Sequence, residues 1–393
     1  MSSPAELYQQ RMERIQKAIS LEEPDRVPVL SMIDTWAAGY AGYTIQEIAY
    51  DYEKLVKAFE KVIEDFDWDC VFPPLGTRPA PVYEALGNTQ FAFAGQSTSA
   101  HSSLQHPEAS PMLPEEYPEF IADPYAYTVH KILPRRYSEL ARPFPRNSLA
   151  LAKGAMLFMQ YLSFFGPVFE KWKQVYGMPV LAAGTTIAPL DVIEDYYRGF
   201  KGIILDIKRR PDDVKAACEA LLPLMIRMAK ISFGGPPAGF PPIFIPLHIA
   251  TFLRPVDFKE FYWPTFRRLV ETLAETGYTC IIFFEGDWEP FLEFLTELPR
   301  GKVIGLMEST DMKKAKAVLG NTMCLAGNLP TTLLNYGTEE EVIAYARELI
   351  DTVAPGGGFI FTTDKSLLSP NDAKAENIRA VNRFVREYGV YKK

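Results

Sequence analysis

Histidine is scarce in this chain. Four occur among 393 residues, so a site built on imidazole has few positions to draw on. Cysteine is equally rare. Cys70, Cys218, Cys280 and Cys324 lie far apart with no CxxC pair, which excludes a zinc knuckle or a disulfide framework. That usage fits a reducing cytoplasm. Basic charge is not in excess either. A formal net charge of −8 argues against a nucleic-acid binder, which needs a basic stripe to hold phosphates. No apolar run reads as a membrane span, and the opening MSSPAELYQQRMERIQKAI lacks the apolar centre of a signal peptide. Internal repeats and low-complexity tails are absent.

What is present is a large apolar complement. Hydrophobic residues make up 48% and charged residues 23%, the balance of a globular chain. The 32 prolines and 13% aromatics imply many defined loops and a sizeable apolar interior.

The stretch TCIIFFEGDW (279–288) organises the rest. Four apolar residues without alternation suit a strand buried on both faces, as in a parallel sheet. Glu285 closes that run and should point into a pocket. Asp287 reads as the cap of the helix that follows. Seven further strands are expected at 27–33, 69–73, 179–183, 243–248, 302–308, 322–328 and 358–363, nearly all followed by helices. Thr44, with Glu47 three residues on, predicts a capping box and a helix to about Asp65. Such alternation predicts a (β/α)8 TIM barrel forming one domain. An initial helix covers 5–20, and residues 75–178 form an insertion between strands 2 and 3. A doubly wound sheet is the alternative, but no Gly-rich dinucleotide fingerprint follows the first strand. The tract GGPPAGFPP (234–242) is a loop. The triplet at 356–358 precedes a strand and reads as a tight turn, not a phosphate cradle.

Barrel enzymes carry their chemistry at the carboxyl ends of the strands. Those ends hold Asp34, Thr185, Thr186, His248, Glu285, Glu308, Asn328, Thr363 and Asp364. Zinc accepts imidazole nitrogen and carboxylate oxygen, so His248, Glu285 and Glu308 form a candidate metal set. Cys324, inside its strand, is either a fourth ligand or a small buried hydrophobe. Lys365 either holds an anion or is a solvated loop charge. Trp36, Phe252, Phe284 and Trp288 read as pocket walls or as ordinary core, and Asp34, Thr185 and Asn328 as substrate contacts.

The segments FKEFYWPTFRRLVETL, STDMKKAKAVLGNTMCLAGNLPTTLLNYGTEEEV, GGGFI and AENIRAV, with PDRVPV near the start, resemble the uroporphyrinogen decarboxylase superfamily. The resemblance covers about 1–75 and 179–388 and implies a (β/α)8 barrel. It also implies one of two chemistries. The decarboxylases grip a polycarboxylate tetrapyrrole with arginines after the first strand and an aspartate after the second. Here those stretches read MIDTWAAGYAGYT (32–44) and VFPPLGTRP (71–79), without either. The other branch transfers methyl groups to or from a separate corrinoid protein. Relatives there that methylate coenzyme M carry His-x-Cys-Gly where this chain has Phe283-Phe284-Glu285-Gly286, and a second cysteine where it has Thr362-Thr363-Asp364-Lys365.

The expectation is therefore a corrinoid-dependent methyltransferase acting on an O- or N-methylated small molecule, a methoxylated aromatic foremost. Zinc or a carboxylic acid would assist the leaving group, and the corrinoid would arrive on a partner protein, with 75–178 as lid or docking surface. Glu285, Asp364 and Lys365 are the expected catalytic groups. A decarboxylase or lyase of a small acid, using Asp364 and Lys365, is one alternative. A non-catalytic binding barrel is another. Oligomeric state is open, a homodimer included.

Overall fold

Eight short parallel strands make a ring. The computed structural model describes residues 2–74, 77–96, 98–181, 184–231 and 242–392. The strands are β1 (Leu30–Ser31), β2 (Cys70–Val71), β3 (Gly184–Thr185), β4 (Pro242–Leu247), β5 (Thr279–Phe284), β6 (Val303–Met307), β7 (Cys324–Ala326) and β8 (Phe359–Ile360). β1 pairs with β2, and β3 to β8 pair in sequence order. Single parallel bridges join the two sheets at both seams, Val71 with Val180 and Val29 with Phe361. At the first seam the Leu181 N–H donates to the Val71 carbonyl at 2.9 Å; at the second the Leu30 N–H donates to Phe361 at 2.9 Å. The ring therefore closes in strand order, the (β/α)8 topology.

Several strands are shorter than the apolar runs that predict them, because regular pairing at β1, β2 and β8 holds for only two residues each. Ala182 and Ala183 of the predicted third strand, and 234–241 of the Gly/Pro tract (234–242), lie outside the described residues.

Strand parity sorts the core into two layers. Ile281, Ile304, Leu306, Cys324, Ala326 and Ile360 belong to a cluster inside the ring. Ile282, Phe284, Val303, Met307, Leu325 and Phe359 belong to the larger cluster shared with the surrounding helices. Both faces are apolar, which is why the strands read as unbroken hydrophobic runs. Each large side chain so buried contributes roughly 1.5–3 kcal/mol.

The first helix, Pro4–Ile19, starts with Ser3 and Glu6 in a capping box. Its Ile15, Ala18 and Ile19 join the inner cluster and stop the amino-terminal end of the ring. Asp69, 1% exposed, anchors this end. It accepts from Arg14 Nη1 and both terminal nitrogens of Arg26, each at 2.7 Å, and from the Val29 N–H at 2.9 Å.

The capping box at Thr44 and Glu47 forms, but the helix it opens stops at Tyr50. Asp51 accepts from the N–H groups of Glu53 and Lys54 and starts a new helix, Tyr52–Asp65. A short polar side chain that bonds its own downstream backbone favours a cap over a helix interior. At 356–358 all three glycines have positive φ, and a Cβ on Gly357 would meet the Glu22 carbonyl at 2.4 Å.

Between β2 and β3 the chain forms short helices, including Ala80–Leu86 and Tyr117–Ala122, and then the long helix Arg146–Tyr176. This last helix is long and apolar enough to cross a membrane by length and composition, a feature the reading of the sequence missed. Phe165 and Trp172 tie one side of it to the core, where Trp172 stacks on Phe59 at 6.0 Å. Leu149, Met156 and Met159 on it are exposed.

Candidate active site

Parity also decides which side chains meet at the open end. Pro246 pairs with Phe283, Phe283 with Leu306, and Leu306 with Ala326. Two residues beyond each, on the inner side, stand His248, Glu285, Glu308 and Asn328. His248 is the centre. Its Nδ1 is 2.8 Å from Asp195 Oδ2, and its Nε2 is 4.0 Å from Glu285 Oε2. Glu194, Asp195 and His248 bring donor atoms within 4.8 Å of one another.

Two devices set this geometry. The chain widens into an i→i+5 turn at Glu194–Arg198, an uncommon distortion often found at functional sites, and this turn carries both acids. Buried Asp191 fixes the backbone after β4. It accepts from the N–H of His248 at 3.1 Å, the N–H of Ile249 at 2.8 Å and the Tyr262 hydroxyl at 2.6 Å.

The charges are strongly coupled. Burial lowers the affinity of the His248 imidazole for its proton, but the hydrogen bond and charge of Asp195, with Asp191 and Glu285 behind, raise its pKa to about 10. Burial and the adjacent Asp195 push Glu194 up to about 8. Asp195 goes the other way, held below its usual value by His248 against the cost of burial. Glu285 is raised by burial and by the neighbouring Glu308. Burial lifts Asp191 to about 6 and also raises Asp364. At neutral pH the cluster thus holds an imidazolium and at least one protonated carboxyl.

The other expected residues divide. Glu308 lies beside Glu285 but is already engaged. It accepts from the Gly286 N–H at 2.7 Å and pairs with Lys365 at 3.5 Å. Gly286 has φ +78° there, a conformation glycine adopts freely. Asp364 accepts from the Thr331 N–H at 3.0 Å. Asn328 spends its amide on the Glu308 and Thr310 carbonyls, at 3.2 and 3.1 Å. Asp34 is buried and accepts from the Thr77 hydroxyl at 3.2 Å. Thr185 is half-buried, in register with Phe244, while Thr186 turns outward to the Met225 carbonyl at 2.8 Å.

Five expectations are corrected. Cys324 sits at the amino-terminal end of β7 in the inner core, fully buried, and burial pushes its thiol up, so it does not join the donor set. Phe284 has the outward parity of its strand. It packs edge-on against Trp288 at 4.8 Å, and both are fully buried outside the ring. Trp36 is core, its indole N–H bonded to the Ala373 carbonyl at 3.1 Å. Phe252 is 67% exposed and rests on Phe200. Asp287 stands one residue before the N-cap, Trp288, and its carboxylate accepts from the Glu289 N–H at 2.9 Å.

Sequence reasoning missed Asp191, Glu194 and Asp195. The available signal was PLDVIEDYYR, three acids in five residues directly after a strand end.

A closed parallel ring with convergent acid and imidazole groups at its carboxyl end defines a (β/α)8-barrel of the enzyme type. The profile described as Uroporphyrinogen decarboxylase (URO-D) matches residues 159–388, more than half of the chain. The chain belongs to the uroporphyrinogen decarboxylase family. Similar proteins named uroporphyrinogen decarboxylase include one from Syntrophotalea carbinolica, 32% identical over 34% of this chain and 39% of its own length. One from Chlorobium phaeovibrioides is 31% identical over 33% of this chain and 37% of its own. One from Geobacter metallireducens is 31% identical over 34% and 38%. The chain thus matches less than two fifths of the length of these relatives.

Proposed function

We propose that the protein transfers a methyl group from an O- or N-methylated small molecule to the cobalt of a corrinoid carried by a partner protein. The observation that carries this reading is the convergence of Glu194, Asp195, His248 and Glu285 at the open end. An alkoxide or phenoxide is a poor leaving group unless its developing charge is neutralised. As the methyl carbon passes to the acceptor, the C–O bond breaks and its electrons stay on oxygen. A carboxylic acid delivers a proton to that oxygen: Glu194, pushed up to about 8, or Glu285, raised in the same direction by burial. Asp195 holds the His248 ring in place, and the His248 charge stabilises the carboxylate left behind.

The donor set also suits a cation. One imidazole and neighbouring carboxylates match the ligand preference of zinc. Glu194, Asp195 and His248 would hold it, with Glu285 on the other edge of the ring. Bound there, zinc would supply Lewis acidity toward the leaving oxygen. The exposed apolar residues of helix Arg146–Tyr176 support the insertion as the docking surface for the corrinoid protein.

Against porphyrin decarboxylation, the loop 32–44 holds no arginine to meet several carboxylates. Decarboxylation of a small acid remains the second reading, favoured by the name its relatives carry. The test is Glu285→Gln assayed against a cobalt(I) corrinoid. We expect turnover to fall by roughly 10²–10⁴. Undiminished transfer would remove Glu285 from the mechanism, and carbon dioxide release without any corrinoid would favour the second reading.

A further inference from the structure

A cationic cluster lies beside the turn that carries Glu194 and Asp195, joined to it through Tyr196. Arg78, a few residues past β2, donates Nη1 to the Tyr83 hydroxyl at 3.2 Å and lies over the Phe91 ring at 4.5 Å. The Tyr196 hydroxyl also lies against it. Behind Tyr196 stands Arg136, 5% exposed, its guanidinium 4.8 Å from the Tyr196 ring centre. Its Nη1 donates to the Tyr196 carbonyl at 3.0 Å, while Nε and Nη2 have no hydrogen-bond partner among the described residues.

Neither guanidinium takes part in an ion pair among the described residues. Buried arginines elsewhere in the chain do: Arg14 with Asp25 and Asp69, and Arg198 with Asp206. Asp195 acts on Arg136 at longer range, but a buried cation without a direct ion-pair partner costs several kcal/mol, so this pair points to a further charge supplied from outside. His106 ties this cluster to the acidic one. It contacts Gln90 at 3.2 Å, packs on Phe91 at 4.8 Å and Tyr196 at 6.0 Å, and with Glu194 and Asp195 lines a cavity of about 150 Å³. Its pKa is lowered by burial, with Arg136, Arg78 and His248 adding to the effect and Asp195 opposing it. His106 therefore touches both the rings around Arg78 and the cavity of the two acids.

We propose that Arg78, with the hydroxyls of Tyr83 and Tyr196, binds a carboxylate of the substrate, and that Arg136 reinforces the positive potential from behind. The arginine fork matches a carboxylate in two-point fashion, and tyrosine hydroxyls donate to the same group. The surrounding rings suit an aromatic acid. Such a ligand is also oriented by charge: its anionic end goes to Arg78 and is repelled by the ionised Asp195, which leaves the opposite end toward His248. This inference rests on the reading that the mouth takes a small methylated molecule.

The test uses three probes of one shape, 3-methoxybenzoate, 3-methoxybenzamide and 3-methoxybenzylamine, titrated calorimetrically into the full-length protein. We expect the carboxylate to bind tightest, and Arg78→Gln to erase that preference by roughly ten- to a hundredfold. Arg78→Lys keeps the charge without the fork and should restore part of it. Tyr83→Phe, which leaves the arginine in place, should weaken the benzoate and not the benzamide, so the inference stays testable if Arg78→Gln does not fold. Equal binding of benzoate and benzamide, no benzoate binding to the wild type, or a preference that survives Arg78→Gln would overturn it. Methyl transfer is scored separately. Arg78-dependent binding without transfer removes the proposed reaction and keeps the site, whereas transfer indifferent to Arg78 does the reverse.

Discussion

Zinc added to this protein at pH 7 should release close to two protons per ion. A metal takes neutral imidazole and ionised carboxylate, so it competes with whatever protons those groups hold. His248 titrates at about 10 and Glu194 at about 8. At pH 7 the imidazole is protonated by about a thousand to one and Glu194 by about ten to one, so the apparent affinity is depressed by roughly 10⁴ relative to the bare donors. The sign follows directly. Both pKa values lie above neutrality, so affinity climbs as pH rises, by close to a hundredfold per unit below Glu194's midpoint and by about tenfold between the two midpoints. Calorimetric titration in two buffers of different ionisation enthalpy counts the protons. Asp195→Asn removes a charged hydrogen bond of roughly 1.5–3 kcal/mol, so it should lower the His248 midpoint by about one to two units and reduce proton release above pH 8. Release of less than about half a proton at pH 7, or an affinity indifferent to pH, would refute the picture of a proton-loaded cluster.

Other expectations concern the scaffold. Asp69→Ala removes the carboxylate partner of Arg26 and leaves Arg14 with Asp25 alone at the floor of the ring, so urea denaturation should register a loss of roughly 3–5 kcal/mol. Gly357→Ala forces a side chain into a backbone with φ +79° and into contact with Glu22, and should cost roughly 1–3 kcal/mol by the same assay. Asp191 is raised by burial to about 6. Its contribution favours folding most below its unfolded pKa near 4 and fades as pH rises through 6. Asp191→Asn keeps an acceptor for the two N–H groups, so it should flatten that part of the stability–pH curve.

Much of this was legible in the chain. Unbroken runs such as CIIFF mark strands covered on both sides, and their alternation with helices leads to the ring. Parity could have gone further. Once Glu285 is taken as inward, Phe284 must be outward, so it could not line the pocket. Trp288, beyond the strand, is drawn out with it by the ring packing between the two. Cys324 fails for a related reason, since it begins its strand and lies at the wrong depth. The acids at 191–195 were harder. Their convergence on His248 depends on a locally widened helical turn and on a contact between elements over 50 residues apart, and neither leaves a periodic trace. Arg78 was equally hidden, because an arginine in a loop reads as solvated until its surroundings are known to be tyrosine rings.

The stopper formed by Ile15, Ala18 and Ile19 has a kinetic implication. A vessel sealed at one end has a single doorway. If methyl donor and acceptor both need that doorway, the demethylated product cannot leave until the acceptor protein has stepped aside. Turnover should then pass through a maximum as acceptor concentration rises, with excess acceptor acting as a cork.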